Sequence, residues 1–296
     1  MDARALPRHK PAMAPTPPIV RTVADLRDRV AAWRKAGERV GFAPTMGALH
    51  EGHLSLVQLA RQRAQRVVVS IFVNPTQFAP HEDFEAYPRD EAGDAALLAQ
   101  VGCDLIFAPG VEEMYPPGAA TTVTVASVTE CLDGVARPAH FAGVATVVTK
   151  LLLQCGPDVA VFGQKDYQQL QVIRRLVADL DIPVEIIGAP TARAPDGLAL
   201  SSRNAYLNAA QRQTAVELPR TLNEAAQALR AGRPVAEVEA AAVARLQAAG
   251  FDPVDYVEVR GPEDLSRLGP GPLDVPGRIL AAARLGPTRL IDNIAV

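Results

Sequence analysis

Two histidines three residues apart, His50 and His53, lie in the segment PTMGALHEGHL (44–54), with glycines at positions 47 and 52. RVGFAP (39–44) before them reads as a short strand. Leu54, Val57 and Ala60 after them form a stripe at helical spacing, in a helix expected to run from Gly52 to about Arg66. The pair therefore falls where a strand turns into a helix. Backbone N–H groups at such a point are unpaired and carry partial positive charge, which suits phosphate. Gly47 and Gly52 would let a ligand approach the backbone closely. Side chains three apart in a first turn share a face, so both imidazoles could address one anion. Helix capping or a surface position is the other reading. Metal binding fits poorly, because H-E-G-H lacks the four-residue step of the zinc-protease motif and His9, His81 and His140 repeat no ligand spacing.

A second segment, GQKDYQQLQ (163–171), also follows a predicted strand and opens a helix. It would bring Lys165 and Asp166 to the carboxyl edge of the same sheet, where open α/β sheets bind ligands. The chain has four lysines against 26 arginines. Keeping lysine at position 165 suits a compact point charge for phosphate, although a solvated lysine at a helix start has the same appearance. ALSSRN (199–204) offers two hydroxyls and a guanidinium as a clamp for terminal phosphates, or a helix cap at Ser202 or Asn204. Neither GxxxxGK[ST] nor a GxGxxG after the first strand occurs, which excludes a P-loop and the usual dinucleotide fingerprint.

The elements that must position these residues alternate. Strands are predicted at 39–44, 66–73, 103–109, 158–163 and 183–190, and helices after Pro88, at 144–155 and at 166–180. Apolar strands in a β-α alternation indicate a Rossmann-like parallel sheet with helices on both faces. Beyond about residue 190 the pattern becomes two Ala-rich helices, a strand at 255–260 and a hairpin turning at Gly286-Pro287, an α+β arrangement. The expected division is a disordered Pro-rich tail at 1–20, a nucleotide-binding domain at 21–190 and a smaller C-terminal domain at 191–296. The polar segment 191–204 becomes a candidate cleft wall. Apolar residues make up 48% of the 296, charged residues 21%, and the net charge is -3, so nothing draws the chain to nucleic acid or an anionic membrane. No apolar run approaches the roughly 20 residues of a membrane helix. Cys103, Cys131 and Cys155 form no CxxC pair and suit a reducing, cytoplasmic setting.

Taken in order, PTMGALHEGHL, VSIFVNPTQF, RPAHFAGVATVVTKL, VFGQKDYQQL and DGLALSSRN resemble the pantothenate synthetases (pantoate–β-alanine ligases) of the nucleotidylyltransferase superfamily, from about residue 20 to the end. The resemblance implies a Rossmann-like domain, a C-terminal lid and a homodimer. It implies condensation of pantoate with β-alanine, driven by ATP with magnesium, through a pantoyl adenylate. It carries Met46, Gly47, Ala48, Leu49, His50, Glu51, Gly52 and His53 to the ATP site, with His53 as proton donor and His50 and Lys165 beside it as catalytic groups. Gly163, Gln164, Lys165 and Asp166 would contact the nucleotide, as would Ala192 through its backbone, and Leu200, Ser201, Ser202 and Arg203 would close over the distal phosphates. Gln77 and Gln169 would hold pantoate, with Gln77 also near β-alanine, and amides suit a dihydroxy acid because they both donate and accept. Asp94 is the match for a magnesium carboxylate, since that ion takes few protein ligands. Ala142 stands where the family's HFRGV segment has arginine. The first 20 residues have no counterpart, and Met13 offers a second possible start. Another H-x-G-H nucleotidylyltransferase and a non-catalytic ATP-binding regulator are the alternatives.

Overall fold

In a computed structural model, residues 15–79 and 84–296 are described. Six parallel strands form the larger sheet: β1 (Ile19–Val20), β2 (Val40–Thr45), β3 (Arg66–Ile71), β4 (Leu105–Phe107), β5 (Val159–Gly163) and β6 (Glu185–Ala189), in the order β1-β4-β3-β2-β5-β6. The order reverses direction between β2 and β5, and this opens a crevice at their carboxyl ends. The central strands are apolar and buried on both sides, as a sheet covered on two faces requires.

Helices α1 (Val23–Lys35), α2 (Glu51–Arg61), α3 (Glu91–Gln100), α4 (Val111–Met114), α5 (Asp133–Ala136), α6 (His140–Cys155) and α7 (Tyr167–Asp179) accompany this sheet. One core, with Leu26, Phe42, Leu152 and Ile173, lies on the α1–α6–α7 side, and another, with Val57, Val69, Leu98 and Ile106, lies under α2 and α3. Gly41 lets α2 come close, since a Cβ there would stand 3.3 Å from the Cβ atoms of Ala60 and Ala64.

The structure corrects the expected elements in several places. Helix α2 stops at Arg61 rather than near Arg66, and a short turn leads from it into β3. Helix α6 begins at His140, ahead of the predicted Val144. Helix α1 and strand β1 belong to no predicted element. The end of the predicted tail joins the sheet: Ile19 and Val20 pair with Ile106 and Phe107, and Pro18 O accepts the N–H of Ile106 at 2.9 Å. The remainder of that tail, residues 1–14 with Met13, lies outside the described residues.

The rest of the chain builds α8 (Ala209–Thr214), α9 (Glu217–Arg230) and α10 (Val235–Ala248) against an antiparallel sheet β7 (Val254–Arg260), β8 (Arg278–Leu285) and β9 (Thr288–Ala295). The β8–β9 hairpin turns at Gly286-Pro287, as predicted, with Gly286 at φ +57°. Its core includes Leu222, Leu246, Phe251, Val259 and Ile279. Buried ions join the two sheets' units. The Arg289 guanidinium on β9 donates to Asp133 Oδ1 at 2.6 Å, and the Tyr256 hydroxyl on β7 donates to the same oxygen at 2.8 Å. Burial opposes charge on Asp133, but Arg289 and these bonds together hold its carboxyl below the usual range.

Candidate functional site

The crevice between β2 and β5 holds a cavity of about 230 Å³, and a larger one of about 590 Å³ opens beside it toward the C-terminal sheet. Met46, Gln77, Lys165, Asp166, Gln169, Ser201 and Arg203 line both. His50, Gly52, His53, Gly163, Ala192, Leu200 and Ser202 line the smaller one. The structure thus brings together segments 46–53, 163–169 and 192–203. Gly47, Ala48, Leu49, Glu51 and Gln164 line neither cavity.

The histidines are caps and cavity walls at once. His50 is the N-cap of α2, and its Nδ1 accepts the Gly52 N–H at 3.1 Å. His53 Nδ1 accepts the His50 N–H at 3.3 Å, and the two rings are 4.1 Å apart, centroid to centroid. Glycine at position 52 suits this cap, because a Cβ there would meet the His50 ring at 2.8 Å. Burial, then the Lys165 charge, pushes His50 down to about 4; burial, then His50, pushes His53 down to about 3. Both rings are therefore neutral near pH 7. With each Nδ1 accepting, the ring proton resides on Nε2, and each imidazole is a neutral donor. The two rings can therefore address an anion only as neutral donors near pH 7. Lys165 carries the positive charge, with Nζ 3.5 Å from Asp166 Oδ1 and its side chain 19% exposed.

The expected role of the loop amides also changes. Thr45 Oγ1 accepts the Gly47 N–H, Asp94 Oδ2 that of Ala48 at 3.0 Å, and Asp94 Oδ1 that of Leu49 at 2.7 Å. These donors are engaged within the loop, while His50, His53, Lys165 and the 201–203 segment line the smaller cavity.

Asp94 is not placed as a metal ligand. It is 3% exposed on α3, behind the loop, and both oxygens are occupied by backbone N–H groups. Burial outweighs those two bonds and leaves its carboxyl above the ordinary value. It holds Ala48 at φ +52° beside Gly47 at φ +82°, and a Cβ on Gly47 would stand 2.9 Å from Asp94 Oδ2. Among the described residues, no group of three or more His, Cys, Asp or Glu is arranged to hold a metal ion.

On the far side, Gln77 ends a 3-10 turn, Pro75–Gln77, capped by Asn74. Asn74 escaped the sequence reading. It is 1% exposed, donates to Gln77 Oε1 at 3.1 Å and to Gly143 O at 3.2 Å, and accepts from the Tyr115 hydroxyl at 2.8 Å. Gly143 permits this, since a Cβ there would come 2.4 Å from Thr76 O. Gln169 is half-buried between two buried glutamines, Gln168 and Gln171, so this face of α7 is not solvated. Ala142 lines neither cavity, while Arg137 lines the larger one and donates to Gln77 O.

The 191–204 wall is tied to the loop: Ser202 Oγ donates to Ala48 O at 3.2 Å. Ser201, rather than Ser202 or Asn204, caps the short turn Ser202–Tyr206. Leu200 N–H donates to Ala192 O at 2.9 Å.

Fold and site define an α/β protein with a cleft, lined by hydrogen-bond donors, at the reversal of strand order. Residues 18–295 match the Pantoate-beta-alanine ligase family, and the chain belongs to it. The pantothenate synthetase of Caulobacter vibrioides is 66% identical over 282 residues, 95% of this chain and 99% of the relative. Pantothenate synthetase from Thermus thermophilus superposes with a TM-score of 0.88 at 49% identity, covering 94% of this chain and 98% of that one. Pantoate-beta-alanine ligase from Francisella tularensis, complexed with beta-gamma ATP and beta-alanine, gives 0.79 at 33% identity, covering 94% and 97%.

Proposed function

We propose that this chain condenses pantoate with β-alanine at the expense of ATP, through a pantoyl adenylate. The observation that carries the reading is the convergence of His50, His53, Lys165 and Gln77 on one crevice in a chain matching the ligase family over 18–295. A pantoate carboxylate oxygen attacks the α-phosphorus and pyrophosphate leaves with the bonding pair. The β-alanine amine then attacks the acyl carbon, AMP departs, and the amine's proton is released. In the first step negative charge grows on phosphate oxygens, and fixed donors facing it lower the barrier. Lys165 supplies a charge and the two Nε2–H groups supply dipoles. Bound triphosphate would raise the imidazole pKa values, which is the condition for His53 to act as proton donor.

Ser201, Ser202 and Arg203 address the distal phosphates, and Ala192 the nucleotide through its backbone. Gln77 and Gln169 hold pantoate, with β-alanine near Gln77. The buried thiols argue against an enzyme-bound intermediate: burial pushes Cys103 and Cys155 up to about 12, leaving them protonated. Magnesium suits a reaction of ATP and takes its oxygens mainly from phosphates. Asp94, buried behind the loop with both oxygens bonded to backbone N–H groups, does not fit as its ligand. A cytoplasmic homodimer with segment 191–296 as lid completes the reading; sedimentation tests the dimer.

Measuring AMP and pyrophosphate release from ATP tests the reading. Pyrophosphate should require pantoate, and AMP should require both pantoate and β-alanine. Release dependent on another acceptor would favour a different H-x-G-H nucleotidylyltransferase, and binding without turnover a regulator.

A further inference from the structure

Strand β9 belongs to the C-terminal sheet, yet one of its side chains grips the turn that carries Lys165. Asn293, 4% exposed, donates from Nδ2 to Gln164 O at 3.0 Å and to Lys165 O at 2.9 Å. Its Oδ1 accepts from the Arg278 guanidinium, which lies 3.8 Å over the Tyr167 ring and so fixes which end of the amide faces the turn. Its backbone N–H donates to Asp292 Oδ1 at 2.8 Å. Asp292, 2% exposed, receives Arg193 through two bonds of 2.6 and 2.9 Å. Neighbouring β9 residues therefore hold both segments that face the histidines: the 164–166 turn and the 191–204 wall.

We infer that Asn293 is a positioning residue for Lys165, through which the seating of the C-terminal unit sets that lysine for nucleotidyl transfer. The inference rests on the proposed reaction. The two carbonyls flank the Lys165 peptide unit, so bonding both to one amide fixes the direction in which the Lys165 side chain leaves the backbone. A charge aimed at a phosphate oxygen loses its effect when displaced by about 1 Å, a shift that costs on the order of 10²-fold in rate. The C-terminal unit is then part of the apparatus that orients the cation, and lifting it off the sheet would release Lys165 as well as open the cleft.

Asn293→Asp tests this with little change of shape. It keeps the acceptor for Arg278 and turns the two donated bonds into oxygen–oxygen repulsion. Asn293→Ala removes the bonds. Pantoate-dependent pyrophosphate release should fall about 10-fold or more in both variants. Pantoate affinity by calorimetry should stay within about two-fold, since its proposed ligands Gln77 and Gln169 are elsewhere. The decisive arm repeats Asn293→Ala in a Lys165→Ala background. A residue acting through Lys165 has nothing left to position, so the second substitution should cost under about two-fold there. An equal loss in both backgrounds, wild-type rates in both variants, or failure of both variants to fold would each overturn the inference. Wild-type protein that releases pyrophosphate without pantoate would instead overturn the proposed reaction, whatever the variants do.

Discussion

His53 Nδ1 accepts the backbone N–H of His50 at 3.3 Å, while the two ring centroids lie 4.1 Å apart with their planes tilted by 39°. Charging either ring would break a cap bond and place a cation against its neighbour and Lys165. The folded values, about 4 and about 3, lie below the ordinary 6.5. The unfolded chain therefore binds protons first as pH falls. The stability contributed by these neutral rings is complete above pH 6.5 and is lost as pH falls through about 4 and about 3. Thermal midpoints across acid pH should show this decline, and a double substitution of the two histidines by asparagine should flatten it. The kcat/KM profile of the free enzyme should show no inflection near 6.5. An inflection there that vanishes in His53→Asn would restore the charged ring.

Lys165 is the charge proposed to face the phosphates beside these neutral rings. Lys165→Ala and His53→Ala should each lower kcat for adenylate formation by about 10²-fold or more. Circular dichroism and thermal midpoints should remain near wild type for Lys165→Ala, whose side chain makes one long contact with Asp166. A large drop in midpoint with near-normal turnover would mark the lysine as structural.

Asp94 separates a loop clamp from a metal ligand. In Asp94→Asn, one of the two loop N–H groups would meet an amide NH₂ in a buried place, a loss of about 1–3 kcal/mol. The thermal midpoint should fall and the KM for ATP should rise, because the H-x-G-H turn loosens. The magnesium concentration for half-maximal pyrophosphate release should not move. A ten-fold rise in that concentration at an unchanged midpoint would put the metal back on Asp94.

The convergence of His50, His53 and Lys165 could be read from local spacing, because they follow strands whose apolar runs place them at one edge of a parallel sheet. Helix α1 was visible in principle: Thr22 caps it, and Leu26, Val30 and Trp33 are spaced at helical period. Strand β1 was not, since two residues show no periodicity. The role of Asn74 depends on Tyr115 and Gly143, which are 41 and 69 positions away. The carboxylate at position 94 was legible, but the direction it faces comes from packing of α3 against the loop. Asn293 lies in an ordinary hairpin pattern, and only docking of the two sheets reveals its partners.

Gln77 and Gln169 reach the same cavity from a 3-10 turn and from α7. Asn74 donates to Gln77 Oε1, so Nε2 is the end left to serve a substrate. That nitrogen rests 3.1 Å from Met46 Sδ, a weak acceptor that a carboxylate readily displaces. Gln169 is half-buried and borders both cavities, so it can meet a hydroxyl or a carboxylate oxygen without large movement. Gln77→Ala and Gln169→Ala should each weaken pantoate binding by about 1.5–3 kcal/mol, roughly 10- to 150-fold. ATP affinity should scarcely change, because the proposed phosphate ligands are Lys165, the imidazoles and residues 201–203. The amide step, followed from pre-formed adenylate, should slow in Gln77→Ala and not in Gln169→Ala, because β-alanine is proposed to lie beside Gln77 alone. Calorimetry on both variants measures the first effect and rapid quench the second. Wild-type pantoate affinity in Gln169→Ala would move the acid's pocket away from α7, and equal slowing of the amide step in both variants would remove β-alanine from Gln77.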